Sequence, residues 1–225
     1  MGFYYNIMKI LNLYCGIGGN RKLWDGQEHE ITAIELDERI ANIYKDLYPT
    51  DNVIVGDAHE YLLNNYEEYD FIWASPPCPT HSVTNHFLNA QGVRRYPDMS
   101  LYGEIILLQT FFKGKYVVEN VKPYYKPLIE AQESGRHLFW ANFKIPKLEG
   151  VKIGRMDKLK DGSRGDKKEN LKELGFNLDN YEHPNKDKLL RNCVPPKIGL
   201  AILESALNIY EQNNVVQTGL FGNSP

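Results

Sequence analysis

The chain is poor in cysteine and has no long hydrophobic run. Its 225 residues include three cysteines, Cys15, Cys78 and Cys193, and none of them belongs to a C-x-x-C pair. Three widely spaced cysteines argue against a disulfide framework and against a cysteine metal site. No segment approaches the run of about 18 apolar residues that a membrane-spanning helix requires. We therefore expect a cytoplasmic protein with reduced thiols, no metal site and no membrane partner.

The chain also lacks a strong excess of either charge. Its formal net charge is −3, which argues against a surface that is basic all over. The charges are unevenly distributed, because residues 144–191 carry 13 Lys or Arg against 9 Asp or Glu, and the remainder carries 13 against 20. A basic segment on an acidic body suggests one surface that meets an anion, although a solvated lysine-rich loop has the same composition.

Apolar segments and helical segments alternate along most of the chain. Strands are predicted at 8–14, 30–36, 52–55, 69–74 and 115–118, and helices after the first strand and at 39–47, 60–66, 101–112 and 195–210. This alternation predicts a mostly parallel sheet with helices on both faces and right-handed crossovers. From about 142 to 188 the alternation stops, and glycines among many charges predict an irregular insertion.

Polar residues follow the predicted strands. Glu35, Asp57, Cys78 and Glu119 each lie just past a strand end. Ligands of parallel α/β sheets bind outside the carboxyl ends of the strands, and unrelated core residues would rarely all fall there. The pattern predicts one functional site at this edge of the sheet.

Three glycines follow the first strand, in the segment Cys15–Gly19. They permit a tight strand-to-helix turn and the close approach of a ligand to the backbone. Glu35, one strand later, can accept hydrogen bonds from a ribose diol. The spacing differs from the dinucleotide fingerprint G-x-G-x-x-G, which argues against a nicotinamide or flavin cofactor. Together with Asp57, these features favour a nucleoside-type cofactor.

Two prolines precede Cys78, in the segment Ser75–Cys78. Each proline fixes its own φ and restrains the residue before it, so that the cysteine is presented at one angle. This suits a nucleophile, but a small buried cysteine would fit the same segment.

Four segments together resemble motifs of the DNA cytosine-5 methyltransferases. Leu13–Gly19 resembles their S-adenosylmethionine loop, Ser75–Cys78 their nucleophile motif, Glu119–Val121 their glutamate motif and Arg191–Pro196 their last conserved motif. All four occur in the order of the family, over roughly residues 8–142 and 189–210. The compact form is similar to phage-encoded members, which are cytoplasmic in the bacterium or the infected host.

The resemblance implies an α/β fold, namely a Rossmann-like S-adenosylmethionine-dependent methyltransferase sheet with helices on both faces and a small irregular recognition insertion. It divides the chain into a catalytic domain, residues 1–142 and 189–225, and a short target recognition region, residues 143–188. It also implies the partner, double-stranded DNA, from which a target cytosine is flipped out at a cost of a few kcal/mol.

The resemblance implies catalytic roles for three residues. Cys78 attacks C6 of the cytosine as a thiolate, and the electron density at C5 rises. Glu119 binds the exocyclic amine and N3 and protonates N3, and Cys78 is eliminated after C5 has been methylated. The family commonly has a Gln-x-Arg-x-Arg motif after the glutamate, from which this sequence departs: the segment 133–140 keeps one arginine, Arg136, which is expected to hold the base, with His137 in the place of the other arginine.

Further residues are implied to bind the cofactor and the DNA. The cofactor, S-adenosyl-L-methionine, is expected to contact Tyr14, Cys15, Gly16, Gly18, Gly19, Glu35, Leu36, Asp57, Ala58, Pro76, Asn192 and Val194. The segment Pro79–Met99 matches the mobile catalytic loop of the family. For DNA phosphates the candidates are Ser82, Arg94, Arg95, Lys167 and Lys168, although Arg94 and Arg95 would also fit a solvated arginine pair.

Other functions compete with this one. Amino methyltransferases that act on adenine N6 or cytosine N4 place an aromatic residue after Pro-Pro, so Cys78 argues against them. An RNA cytosine-5 methyltransferase and a catalytically inactive DNA-binding homologue stay as alternatives. The motifs are the same for a monomer or a homodimer, and for a role in a restriction-modification system or in phage self-protection.

Overall fold

A seven-stranded sheet lies at the centre of the part of the chain that the computed structural model describes, residues 7–25, 29–135, 137–146 and 174–207. The strands are β1 Lys9–Leu13, β2 Glu30–Glu35, β3 Asn52–Val55, β4 Phe71–Ala74, β5 Lys115–Val121, β6 Gln132–Ser134 and β7 His137–Ala141. Their order across the sheet is β3-β2-β1-β4-β5-β7-β6. The first five pair in parallel, whereas β7 is antiparallel to both β5 and β6.

Six α-helices accompany the sheet within the described ranges. They are α1 Glu38–Leu47, α2 Ala58–Asn65, α3 Asn85–Ala90, α4 Ser100–Phe111, α5 Lys186–Asn192 and α6 Pro196–Ala206. Asp37 caps α1 and Asp57 caps α2, because each carboxylate accepts a hydrogen bond from a backbone N–H of the first turn. None of these helices is long and apolar enough to cross a membrane.

Helices cover both faces of the sheet. Successive side chains of a strand point to opposite faces, so Leu11 and Leu13 of β1 join a core with α2 and α4, whereas Ile10 joins a core with α6. Beside the second core, Tyr44 of α1 packs against Ala33 of β2. Burial of one such large apolar side chain contributes about 1.5–3 kcal/mol. The predicted α/β sheet with helices on both faces is confirmed.

The sequence predicts a helix after the glycine loop. This prediction is wrong for residues 20–25, which form consecutive turns. Two side chains explain the difference. Trp24 is 1% exposed and packs on Phe71 and Trp73 beneath the sheet. Arg21 turns inward and donates to both carboxylate oxygens of Asp51 at 2.9 and 3.0 Å. These tertiary contacts outweigh the local helical preference of the segment.

The strand that carries Glu119 is longer than the sequence predicts. β5 continues to Val121, so Glu119 lies inside the strand and not past its end. The reason is β7, which pairs antiparallel with β5 and brings Phe139 opposite Glu119. The hairpin of β6 and β7 was not predicted from the sequence.

The ends of the predicted recognition region pack against the body of the protein. Phe143 and Ile145 join the core under α6, and Phe176 and Leu178 join a cluster with Ile17 of the glycine loop. Residues 147–173, which include Lys167 and Lys168, lie outside the described residues.

Candidate active site

The glycine loop leaves β1 at the edge where the parallel strands end. Tyr14, Gly16 and Gly18 all have positive φ, of 55°, 54° and 75°. This left-handed conformation costs a non-glycine residue about 1–2 kcal/mol, so Tyr14 must be stabilised by its contacts. The loop closes through a 2.9 Å hydrogen bond from Gly18 N–H to the Cys15 carbonyl, and the Tyr48 hydroxyl donates to the Gly18 carbonyl at 2.8 Å.

The space around the two glycines differs. A methyl group on Cα of Gly18 would lie 2.8 Å from Cε2 of Tyr44, and closer still to the Tyr48 ring. A methyl group on Gly16 would meet no other atom within 4 Å. Gly18 therefore allows the protein to pack against the loop, whereas the space over Gly16 is open to a ligand.

Glu35 connects the glycine loop to the end of β2. Its Oε2 accepts a hydrogen bond from Gly16 N–H at 3.0 Å, and its Oε1 accepts from Asp37 N–H at 3.0 Å. Each carboxylate oxygen can accept a second bond, so the ribose role assigned to Glu35 is compatible with these contacts. Leu36 beside it is 70% exposed, so its side chain projects beyond the packed part of this edge.

The end of β3 supplies Asp57 and Ala58. Asp57 is exposed and accepts from Glu60 N–H at 2.9 Å, which uses one of its two carboxylate oxygens. Ala58 is 4% exposed and lies in the core of α2 and α4. A contact between Asp57 and the expected cofactor would therefore use a carboxylate that also caps α2.

A network of three side chains supports Tyr14. The Tyr14 hydroxyl donates to Oε1 of Glu104 at 2.5 Å, and Nδ1 of His59 lies 2.9 Å from the same oxygen. Glu104 is fully buried in α4, and its Oε2 has no hydrogen-bond partner among the described residues. Loss of solvation raises the pKa of Glu104, and together with the nearby Glu104 carboxylate it raises the pKa of Tyr14.

Cys78 lies four residues beyond β4 and is half-buried. Its carbonyl accepts from the backbone N–H groups of His81 and Ser82, both at 3.0 Å, which turns the chain sharply after the cysteine. Burial raises the pKa of Cys15 well above its usual range and that of Cys193 to about 12. Those two thiols stay protonated at neutral pH, which leaves Cys78 as the candidate nucleophile among the three cysteines.

The segment of Cys78 and the strand of Glu119 are joined by one hydrogen bond. Asn120 in β5 donates from Nδ2 to the Pro76 carbonyl at 3.0 Å, and both residues are buried. β4 and β5 are neighbours, with Ala74 opposite Val118. This contact fixes the backbone two residues before Cys78 relative to the residue that follows Glu119.

Glu119 is 6% exposed and pairs with His137 of β7, whose Nδ1 contacts Glu119 Oε1. Ser82 forms an isolated bridge with Pro123, just beyond β5. The Tyr124 backbone N–H donates to the His81 carbonyl at 2.9 Å. The segment after Cys78 is therefore attached to the strand that carries Glu119.

The segment Pro79–Met99 is held at several points, and its two arginines are exposed. The Tyr124 hydroxyl donates to the Arg95 carbonyl at 3.0 Å, while the side chains of Arg94 and Arg95 are exposed. Asn85, 0% exposed, donates to the Pro79 carbonyl at 2.8 Å. Exposed guanidinium groups on an anchored loop are suited to phosphate contacts.

The segment between α5 and α6 lies against the glycine loop. A methyl group on Gly19 would lie 2.7 Å from Cβ of Cys193 and 2.5 Å from the Val194 carbonyl oxygen. Val194 is 7% exposed, whereas Asn192 at the end of α5 is exposed. Glycine at position 19 therefore permits this segment to pack directly against the loop. Of the predicted site residues, Arg136, Lys167 and Lys168 lie outside the described part of the chain.

Comparison with known protein families identifies the family of this chain. A sequence model of the C-5 cytosine-specific DNA methylases matches residues 8–127, just over half of the chain. The chain belongs to this family. The match contains the glycine loop, Cys78 and Glu119, so these parts of the methylase lie within the shared region. No curated protein matches the sequence.

Solved structures similar to the methylase include other methyltransferases. An S-adenosylmethionine-dependent methyltransferase from Agrobacterium tumefaciens is 14% identical, with 55% of this chain and 41% of that chain covered and a TM-score of 0.41. A TehB-like methyltransferase from Corynebacterium glutamicum is 16% identical, with 54% and 59% covered and a TM-score of 0.37. A methylase candidate from Haemophilus influenzae is 19% identical, with 61% and 80% covered and a TM-score of 0.41. These similarities concern the fold alone.

The family identifies the cofactor of the methylase as S-adenosyl-L-methionine. The loop at the end of β1 fits this molecule, because the space over Gly16 is open and the backbone there is left-handed. Glu35 adds a carboxylate beside that space, attached to Gly16 through its backbone N–H. The geometry therefore agrees with the cofactor that the family requires.

Sequence reasoning missed three contacts of the methylase site. The contact of Glu104 with Tyr14 could have been suspected from the sequence, because Glu104 is a lone carboxylate in the apolar segment Leu101–Phe111. Asn120 was noted as part of the glutamate motif, but its bond to Pro76 has no sequence signal. The contact between Glu119 and His137 depends on β7, whose antiparallel pairing was not predicted.

Proposed function

We propose that this methylase transfers a methyl group from S-adenosyl-L-methionine to C5 of a flipped-out cytosine in double-stranded DNA, through a covalent bond between Cys78 and C6. The observation that carries the proposal is the hydrogen bond from Asn120 to the Pro76 carbonyl. It couples the backbone before Cys78 to the strand of Glu119, so that a nucleophile and an acid act on one base as a rigid pair.

Cys78 forms the bond to C6 as a thiolate, and the C5–C6 π electrons shift toward C5 and N3. Glu119 supplies a proton to N3 at this step, so no charge builds up on the ring. S-adenosyl-L-methionine, when bound, supplies the methyl group that C5 receives. A base then takes the C5 proton, the bond from Cys78 to C6 breaks and N3 returns its proton to Glu119. Arg136 is proposed to hold the base beside this pair.

The remaining assignments concern binding. Glu35, Asp57 and the loop Tyr14–Gly19 are proposed to hold the cofactor, together with Asn192 and Val194. Ser82, Arg94 and Arg95 are proposed to contact phosphates of the flipped nucleotide and its neighbours. Residues 143–188, with Lys167 and Lys168, are proposed as the target recognition region of a catalytic domain formed by 1–142 and 189–225.

The experiment is a methylation assay with nucleoside analysis. Purified protein, labelled S-adenosyl-L-methionine and unmethylated duplex DNA are incubated, and the DNA is digested to nucleosides and separated by mass spectrometry. We expect 5-methylcytosine with the wild type and none with Cys78→Ser. Labelled N4-methylcytosine or N6-methyladenine would contradict the proposal. Methylation of RNA but not of DNA in a parallel assay would identify RNA as the substrate.

A further inference from the structure

Tyr14 has a backbone conformation that is unfavourable for its residue type. Its φ of 55° lies in the left-handed region, and within the described ranges no other residue besides glycine has a positive φ. Gly16 and Gly18 adopt such values without strain, whereas a tyrosine does so only when its surroundings hold it there. Tyr14 directs the chain from β1 into the glycine loop, so the contacts of its side chain help to shape that loop.

Two contacts hold the side chain of Tyr14. The ring packs against the core that lies under α2 and α4. The hydroxyl donates to Oε1 of Glu104 at 2.5 Å, between residues that are 90 positions apart. Burial and the Glu104 carboxylate raise the pKa of Tyr14, so the hydroxyl keeps the proton that it donates. The hydrogen bond is the directional contact of the two, because apolar packing has no preferred direction.

Glu104 is an unexpected residue at its position in α4. The buried face of this helix includes Leu101, Ile105 and Leu108, and Glu104 is as fully buried as these apolar residues. Oε2 of Glu104 has no hydrogen-bond partner among the described residues, and a buried unpaired oxygen lowers stability. An apolar residue would pack there without this loss. A polar side chain that lowers stability is typical of functional sites.

The carboxylate of Glu104 is itself held by His59. Nδ1 of His59 lies 2.9 Å from Oε1, the oxygen that also accepts from Tyr14. His59 is the second residue of α2, and Asp57 caps the same helix. Glu104 therefore contacts both the loop after β1 and the start of α2, the two segments that carry proposed cofactor residues.

We propose that Glu104 is a positioning residue for S-adenosyl-L-methionine, which holds Tyr14 in the left-handed conformation that the cofactor loop requires. This inference rests on the proposed cofactor role of the loop Tyr14–Gly19 and adds a residue outside it. Glu104 acts through the Tyr14 hydroxyl and not through a contact with the cofactor. Without this hydrogen bond, Tyr14 can leave the left-handed region, and only a fraction of the molecules has the loop ready. The apparent affinity for the cofactor then falls by that fraction.

The test is a double-mutant cycle with two measurements on each variant. These are the affinity for S-adenosyl-L-methionine, by calorimetry, and the free energy of unfolding in urea. Tyr14→Phe keeps the ring and removes the donor, and Glu104→Met keeps an unbranched side chain of similar length and removes the acceptor. We expect each single variant to bind the cofactor about tenfold more weakly than the wild type.

The double variant separates affinity from stability. It should bind the cofactor no more weakly than either single variant, because the same hydrogen bond is missing in all three. Its stability should be close to that of the wild type, because replacement of both partners by apolar groups leaves neither of them buried and unpaired. It therefore provides the measurement even if a single variant does not fold.

Two further variants distinguish positioning from a general loss of contacts. Glu104→Gln keeps an oxygen that accepts from Tyr14, so its affinity should stay within about twofold of the wild type. Tyr61→Phe is the matched control, since it removes the 2.9 Å hydroxyl contact between Tyr61 of α2 and Tyr69, both partly buried. It should bind the cofactor like the wild type. In methylation assays, Tyr14→Phe and Glu104→Met should raise the KM for S-adenosyl-L-methionine and leave the KM for DNA unchanged.

Three results would overturn the inference. The first is that Tyr14→Phe and Glu104→Met lose stability but bind the cofactor normally, because Glu104 would then only be part of the core. The second is that the two losses of affinity multiply in the double variant to about a hundredfold, because the residues would then act independently. The third is that Glu104→Gln binds as weakly as Glu104→Met. A wild type that binds the cofactor but makes no 5-methylcytosine contradicts the proposed function, whereas the cycle of affinities decides this inference separately.

Discussion

Gly18 lies beneath two tyrosine rings, and its replacement by alanine tests whether the glycine loop is stabilised by packing from below. A Cβ atom at this position would meet Tyr44 at 2.8 Å and the Tyr48 ring at a shorter distance. The left-handed φ of 75° costs alanine about 1–2 kcal/mol. Displacement of two packed rings adds about 1–3 kcal/mol, and loss of the Tyr48–Gly18 hydrogen bond adds about 1 kcal/mol. We expect Gly18→Ala to reduce the free energy of unfolding by about 3–6 kcal/mol.

Two other glycines provide matched controls. Gly16 has a similar φ of 54° but no neighbour within 4 Å, so Gly16→Ala should cost only about 1–2 kcal/mol in stability. Its methyl group would occupy the open space of the loop, and we expect cofactor affinity to fall at least about tenfold, or 1.4 kcal/mol. Gly103 lies exposed within α4 with no neighbour within 4 Å, and Gly103→Ala should stabilise the helix by about 0.5–1 kcal/mol.

The assay is urea unfolding followed by circular dichroism, with cofactor binding measured by calorimetry on the same preparations. Gly18→Ala should be the least stable of the three variants by several kcal/mol, and Gly16→Ala the weakest cofactor binder among those that fold. If Gly18→Ala and Gly16→Ala lost the same stability, the contacts of Tyr44 and Tyr48 with the loop would contribute nothing. If Gly16→Ala bound the cofactor normally, the open space over Gly16 would not be the binding site.

Three further predictions concern the acids and arginines of the site. Glu35→Ala should weaken S-adenosyl-L-methionine binding by about 1–3 kcal/mol, the cost of losing a hydrogen bond to a charged group, and unchanged calorimetric affinity would exclude the ribose assignment. Burial raises the pKa of Glu104, so the folded protein keeps a proton that the unfolded chain releases, and stability falls as pH rises above the ordinary glutamate range. Glu104→Gln should remove this slope, so that its stability relative to the wild type rises as pH increases above the ordinary glutamate range, whereas a stability difference that does not change with pH would refute it. The double substitution Arg94→Ala and Arg95→Ala should make DNA binding less sensitive to salt. The slope of log K against log[salt] should decrease in magnitude by about 0.9 for each phosphate that the arginines neutralise in the wild type. An unchanged slope in a fluorescence-anisotropy titration would mean that the two arginines are solvated and do not contact phosphates.

The sequence predicted most of what is local. β3 has the predicted bounds, and β1, β2 and α1 begin or end within a residue or two of them, because alternating apolar residues and the cap at Asp37 depend on neighbours in sequence. The glycine loop and Cys78 were found for the same reason, since glycines and prolines restrict the backbone on their own. These features specify the sheet edge at which the site lies.

Interactions between distant parts of the chain were not predictable in the same way. The bond of Asn120 to Pro76 spans 44 residues, and the contact of Tyr14 with Glu104 spans 90 residues. The helix expected after the glycine loop is absent from residues 20–25 because Trp24 is drawn into the core. Glu119 was expected at a strand end, and it lies inside β5 because a later antiparallel strand extends the pairing. Such outcomes depend on packing partners, which a local pattern does not contain.

The central claim, that Cys78 attacks C6 of a cytosine in DNA, is tested most directly by covalent capture. Duplex DNA with 5-fluorocytosine in place of cytosine is incubated with protein and S-adenosyl-L-methionine, and the products are separated under denaturing conditions. Fluorine cannot leave C5 as a proton does, so the bond between sulfur and C6 should persist, and peptide mass spectrometry should find the nucleotide on Cys78. No adduct should form with Cys78→Ser. A denaturation-resistant complex that survives this substitution, or an adduct mapped to another residue, would contradict the account.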